Sequence, residues 1–245
     1  MTVVRYDSLD ASNISISNPV ENEYIKSQRI CQIRYTNHSL SVQTPYINQE
    51  RHSGIPGIRK FYSDDRSRAF YKLIFYNSDD KFKQLLMQID DIARNLNNKL
   101  LEKKEKYQYI PMVRCNDDEN KDPYAKLKIL LDKSNKPMVK VFKNLLGVRK
   151  PVDVASISEL SDIIKNAKMR FIIQFQKLYI MKNAFNGSKR MFGIILTITH
   201  IEIIQHEMIS QIEVSSEEEE IRISSADLTS LRFVRRTSFA KDATD

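Results

Sequence analysis

Tryptophan is absent from this sequence, glycine occurs five times in 245 residues, and cysteine only twice. Each scarcity excludes something. Cys31 and Cys115 lie 84 positions apart, so there is no disulfide framework and no CxxC zinc site, and a reducing compartment is expected. No GxSxG, GxxxxGKS/T or GxGxxG occurs, which removes the usual nucleophile elbow and phosphate cradles. Of the four histidines, His200 and His206 share strand parity. Six residues of strand span about 20 Å, too far to chelate one ion. The longest apolar run free of charge, Met191 to Ile201, is eleven residues, about half of a bilayer span. The first residues show no basic stretch leading into an apolar one, so no secretory signal is expected. These absences describe a soluble intracellular protein with no metal site and no cofactor.

Positive charge is present in excess, and it is localised. The net charge is +8 and the pI near 9.3. From Lys60 to Phe192 there are 28 Lys and Arg against 16 Asp and Glu, a net of +12, so the flanks together carry −4. A concentrated positive field attracts polyanions and speeds their encounter. Acid pairs occur at Asp64-Asp65, Asp79-Asp80, Asp90-Asp91 and Asp117-Asp118-Glu119. Helix caps and solvated loops account for them, and no residue is assigned a catalytic role. A metal-dependent nuclease is the minor enzymatic alternative.

Periodicity divides the chain into three parts. Residues 1–28 are polar, rich in Ser and Asn, and read as a mobile arm. Residues 29–212 read as a folded nucleic-acid-binding domain, and 213–245 as a disordered tail carrying the acidic run Glu217 to Glu220. Within the middle part, strands are predicted at Ile30 to Tyr35 and Ser39 to Thr44. A loop holding Gly54, Pro56 and Gly57 follows, ringed by Arg51, Arg59, Lys60, Phe61 and Tyr62. A third strand is expected over Arg68 to Tyr76. Phe82, Leu85, Leu86, Ile89, Ile92, Ala93, Leu96 and Leu100 then recur at helical spacing, which predicts a long helix to about Glu105. Tyr107 to Cys115 reads as an edge or entry strand because of Pro111. Tyr124 to Leu131 and Met138 to Lys143 read as a hairpin, and Ser156 to Glu159 as a capping box before a short helix. Two long strands close the domain, Met169 to Lys182 and Arg190 to Gln205. The expected fold is α+β: a mostly antiparallel, OB-like β-barrel with one long inserted helix, one short helix and flexible termini. A two-layer sandwich is the alternative.

The polar face of that hairpin is the most informative feature. Tyr124, Lys126 and Lys128 alternate with apolar residues on one strand, and Lys140 and Phe142 on the next. Rings interleaved with ammonium groups suit single-stranded nucleic acid, which presents stackable bases and one phosphate per nucleotide. Tyr71 and Lys72, then Arg170, Lys177, Tyr179, Lys182, Lys189 and Arg190, add similar elements on other strands.

The order of segments resembles a known group. Val42-Gln43-Thr44-Pro45 enters a Gly/Pro loop, and a strand then runs into Phe82-Lys83-Gln84-Leu85-Leu86 with Ile89-Asp90. Tyr109-Ile110-Pro111-Met112-Val113-Arg114 and Pro123-Tyr124-Ala125-Lys126-Leu127-Lys128 follow, before a capped helix and two long strands. Over roughly residues 30–205 the chain resembles the OB-fold single-stranded-DNA-binding proteins of nucleocytoplasmic large DNA viruses, with members in African swine fever virus and, more distantly, poxviruses. The resemblance implies a non-enzymatic protein that coats single strands during viral genome replication in the host cytoplasm, with packaging in the virion a further expectation. Relatives carry tryptophan in the late strands, where Phe175 or Tyr179 would have to serve here. Single-stranded DNA is the expected partner and RNA a second candidate. Replication proteins engaged through the C-terminal tail, and self-association, complete the list. The competing reading from another class is a viral assembly protein whose basic surface meets acidic protein partners.

Overall fold

In the computed structural model, residues 2–48, 53–59, 62–77, 80–100, 104–115, 121–145, 147–184 and 189–205 are described. Met1–Glu207 form one compact unit. The expected tail, 213–245, lies outside the described residues.

The N-terminal segment is corrected first. Residues 2–28 are part of the fold rather than an arm. They contribute β1 (Thr2–Arg5), β2 (Ile14–Ile16) and β3 (Val20–Glu21), ahead of β4 (Gln28–Cys31), β5 (Ile33–Tyr35) and β6 (His38–Gln43). β1 pairs in parallel with β6, whereas β2 pairs antiparallel with β5 and β3 antiparallel with β4. Ile14 reaches the core, and buried Asn22 accepts through Oδ1 from the Tyr24 and Ile25 amides. Short strands with only one or two apolar residues leave little periodic signal, and their stability comes from the edges they pair with. Asp10 accepts from Ser12 N and caps a 3₁₀ turn at Ala11–Asn13. The β5–β6 hairpin turns at Thr36 and Asn37, both with positive φ (44° and 70°), the conformation that hairpin turns of this hand require.

After β7 (Ile47–Asn48) comes β8 (Phe70–Ile74), and then α1 (Lys81–Leu100). Asp80 caps α1, its Oδ1 accepting from the Phe82 and Lys83 amides at 2.8 and 3.0 Å. Phe82, Leu85, Leu86, Ile89 and Ala93 are buried along one stripe, the face that the spacing predicts. β9 (Tyr107–Ile110) and β10 (Val113–Arg114) flank Pro111. Among the described residues β9 pairs only with the last strand, consistent with a proline-marked edge. β11 (Tyr124–Ile129), β12 (Lys140–Leu145), β13 (Val148–Val152) and α2 (Ile157–Ile164) follow. α2 begins with the expected capping arrangement: Ser156 Oγ accepts from Glu159 N, and Glu159 Oε2 accepts from Ala155 N at 2.7 Å.

The two long strands, β14 (Lys168–Met181) and β15 (Arg190–Gln205), form an antiparallel ribbon that is the spine of the sheet. Outside β14 lie β4, β6 and β7. Outside β15 lie β9, β11 and β12 in succession, all parallel to it. β15 turns Phe192, Ile194, Leu196, Ile198, Ile201 and Ile203 into the core, the alternation of a strand with one face on the core. The main path of the ladder runs β10-β11-β15-β14-β6-β5-β2 without closing. The architecture is α+β.

One expected pairing does not form. The turn between β11 and β12 exists, with Asp132 N donating to Lys136 O and Met138 N to Leu130 O. The strands then part, and each joins the edge of β15, at Lys128↔Thr197 and Lys140↔His200. A sixteen-residue strand offers an edge long enough for both, and each partner gains a ladder there. Asp90 is a second departure, being neither cap nor solvated. It is buried on α1, where its carboxylate accepts from Tyr109 Oη at 2.5 Å, Met112 N at 3.0 Å and Val113 N at 3.4 Å. It ties α1 to β9 and β10.

Candidate nucleic-acid interface

Residues paired across a ladder face the same side, and so do residues i and i+2 of one strand. Tracing the registers outward from β11 therefore defines a face. Lys126 pairs with Lys72, and Lys128 with Phe70 on β8. Lys128 also pairs with Thr197, which pairs with Gln174. In one direction Ile195 pairs with Lys177 and Gly193 with Tyr179. In the other, past an irregularity at Ile172/Ile173, His200 meets Lys140 and Ile172, and Glu202 meets Phe142 and Arg170. All of these residues lie on one face of the sheet. The opposite face holds Phe171, Ile173, Phe175, Leu178, Ile180, Leu196 and Ile198 in the core. Asp90 bonds Tyr109, which pairs with Phe192 on that same core side, so α1 packs there.

Two adjoining cavities mark the free face. The first, about 430 Å³, is lined by the Ser53–Gly57 segment, Arg59, Tyr62, Phe70, Lys72, Tyr124 and Lys126. The second, about 140 Å³, is lined by Ile110, Pro111, Met112, Arg114, Lys126, Lys128, Tyr179 and the Ile194–Leu196 segment. They share Lys126. No carboxylate lines either one among the described residues. Arg59, Lys72, Arg114, Lys126 and Lys128 make no ion pair with any described residue. The rings interleave with them: Tyr62 meets Phe70 edge-on at 5.6 Å, Lys72 Nζ sits 4.8 Å over the Tyr124 ring, and Lys126 Nζ sits 4.8 Å over Phe70. Burial, with Arg114 and Lys72 beside it, lowers the Lys126 ammonium below the ordinary lysine range. Gly193 lets β9 and Tyr179 approach closely beside the second cavity. A Cβ there would meet the Ile110 carbonyl oxygen at 2.8 Å and Tyr179 Cε1 at 3.4 Å.

The far end of the face is different. Glu202, 8% exposed, accepts from Asn144 Nδ2 at 2.7 Å, Arg149 Nε at 2.9 Å and Arg170 Nε at 2.6 Å. Burial alone would raise its carboxyl, but the hydrogen bonds from Arg170 and Asn144 and the charge of Arg170 hold it below the usual range. Phe142 stacks on His200 at 6.3 Å and 8°, and Tyr46 lies under Arg170 at 4.9 Å. This end carries rings as well, but its arginines Arg149 and Arg170 are both paired with Glu202.

The sequence-predicted residues therefore divide. Lys72, Tyr124, Lys126, Lys128 and Tyr179 line the acid-free cavities, and Lys177 shares their face. Lys140 and Phe142 share it too, but next to His200 rather than beside β11. Arg170 is on the face and bound to Glu202. Three assignments are corrected. Tyr71 is fully buried (0% exposed) against Phe171, with ring centroids 5.0 Å apart. It alternates with Lys72, so the two point opposite ways. Arg190 pairs with Tyr107 on the core side and donates to its hydroxyl at 3.2 Å. Lys182 is tied to Glu21. Lys189 is exposed just before β15. Residues missed from sequence are Phe70 and Arg114; Arg59 and Tyr62 belong to the Gly/Pro loop already singled out there. Strand parity with Lys72 was a sufficient signal for Phe70; nothing local pointed to Arg114. Among the described residues no cluster of three His, Cys, Asp or Glu could hold a metal ion, and no helix is long and apolar enough to cross a membrane. No protein-family model matches the chain, and neither does any curated protein sequence.

Proposed function

We propose that this protein binds single-stranded DNA without strong sequence preference, along the sheet face opposite α1, and that it acts by binding rather than by catalysis. What carries this reading is one observation: a continuous strip of Arg59, Lys72, Lys126, Arg114 and Lys128 interleaved with Tyr62, Phe70, Tyr124 and Tyr179, with no described carboxylate lining it. Cations neutralise the strand's phosphates, and rings offer stacking surfaces worth roughly 1–3 kcal/mol per base. No base-edge reader is needed, so sequence tolerance follows. The reading includes an OB-like origin for the sheet, whose spine carries two register irregularities, at Ile172/Ile173 and Phe175/Lys177; such bulges are how small barrels turn their corners. It also includes the role that the family resemblance implies, protecting strands exposed during viral genome replication in the host cytoplasm.

The test is fluorescence anisotropy of a labelled 25-nucleotide single strand against matched duplex and RNA at several salt concentrations. Engagement of about four phosphates gives a log–log salt slope near −3. Equal weak binding to every polyanion would sink the reading and favour the alternative, a basic surface for acidic protein partners.

A further inference from the structure

Lys72 and Lys126 stand directly opposite one another on antiparallel strands. Both backbone groups of Lys72 are committed to the other side, since its N–H donates to Gly54 O and its carbonyl accepts from Gly54 N, both at 2.9 Å. Lys72 and Lys126 are therefore a non-hydrogen-bonded pair, the closer kind, in which side chains approach most nearly. Like charges at such a position destabilise a sheet. Here they are not relieved by any described carboxylate. Instead the ammonium groups cross over, Lys72 onto Tyr124 of β11 and Lys126 onto Phe70 of β8. The pair opens into the larger cavity, whose other wall is the Gly54–Arg59 segment and Tyr62.

We propose that Lys72 and Lys126 form a discrete seat for one phosphodiester of a single strand, its flanking bases stacking on Phe70 and Tyr124. This rests on the single-strand reading and goes beyond it, because it replaces an evenly charged track with one fixed anchor. A phosphate between the two ammonium groups removes their repulsion. An arriving base takes the ring face that each ammonium covers in the free protein. The cavity volume of about 430 Å³ lies within the range of small-ligand sites.

The test is a double-mutant cycle on binding of (dT)10 with Lys72→Gln, Lys126→Gln and the double variant. Two groups gripping one phosphate are coupled: each single substitution weakens binding about tenfold, and the double weakens it little further. Each single variant also melts no lower than the parent, because a repulsion is gone. Losses that multiply, or no loss at all, overturn the seat while leaving the wider reading intact. If the parent protein itself does not bind (dT)10, both fall. Efficient competition by thymidine 5′-monophosphate would reassign the seat to a free nucleotide and overturn the phosphodiester assignment.

Discussion

At the scale of single residues, the face and the core are separated by one position along β8. Phe70, Lys72 and Ile74 look outward, whereas Tyr71 and Leu73 are buried. The two aromatics at this site should therefore behave oppositely on substitution. Phe70→Ala removes a stacking surface and is expected to weaken single-strand binding by about 1–3 kcal/mol. Tyr71→Phe leaves affinity unchanged. The Tyr71 hydroxyl is buried with no hydrogen-bond partner among the described residues, so its removal should be neutral or slightly stabilising. Anisotropy titration and urea melts of the two variants read both outcomes. A loss of affinity in Tyr71→Phe would overturn the placement of that ring in the core.

Elements are joined by a few buried polar contacts. Asp90 holds α1 to β9 and β10 through Tyr109, Met112 and Val113. Asp90→Ala leaves those donors unpaired and is expected to cost about 3 kcal/mol, read as a lower urea midpoint. Asp90→Asn keeps an acceptor and should cost less. Gly193 has a comparable role where β9, β14 and β15 meet. An alanine there would press on the Ile110 carbonyl, and Gly193→Ala should destabilise by about 1–3 kcal/mol. Since Tyr179 leans on the same spot, this variant should also bind single strands less well than its stability loss alone explains. Ser156→Ala, at the start of α2, should cost about 1 kcal/mol and leave binding untouched.

Across the whole molecule, two buried carboxylates give opposite pH signatures. Glu202 is held below the ordinary glutamate value of 4.5 by its hydrogen bonds and by Arg170, against burial. Its contribution is complete above that ordinary value and is lost as pH falls through the lowered one. Glu202→Gln should thus cost about 2 kcal/mol near pH 7, and the gap to the parent should close on acidification. Asp90 is raised, because burial outweighs the hydrogen bonds from Tyr109, Met112 and Val113. Its contribution is complete below the ordinary aspartate value and diminishes as pH rises through the raised one. Urea melts of both Gln and Asn variants across pH check the two signs. Charge is likewise partitioned: Arg149 and Arg170 share the one carboxylate of Glu202 at the β12 end, whereas the cations of the β8–β11 end face no described carboxylate.

Local alternation and helical period made much of this legible in advance. α1 with its buried stripe, the capped α2, β11 with Tyr124, Lys126 and Lys128 on one side, and the long β14–β15 ribbon all follow from periodicity within one segment. The bounds of β14 and β15 fall within a residue of expectation for the same reason. What a segment pairs with is not written in its own period. β11 and β12 carry alternation suited to a hairpin, yet each joins β15, because the long edge offers ladder bonds that the hairpin forgoes. The N-terminal strands lack a signal of their own and exist by pairing with β4, β5 and β6. Arg114 enters the candidate interface only because β10 lies against β11, and Glu202 silences Arg170 only because β12, β13 and β14 converge on it. Sequence by itself determined the longer elements, their inward and outward faces, and the basic excess. Tertiary pairing decided which outward faces adjoin and which cations have no ion-pair partner among the described residues, since those depend on contacts between residues far apart in the chain.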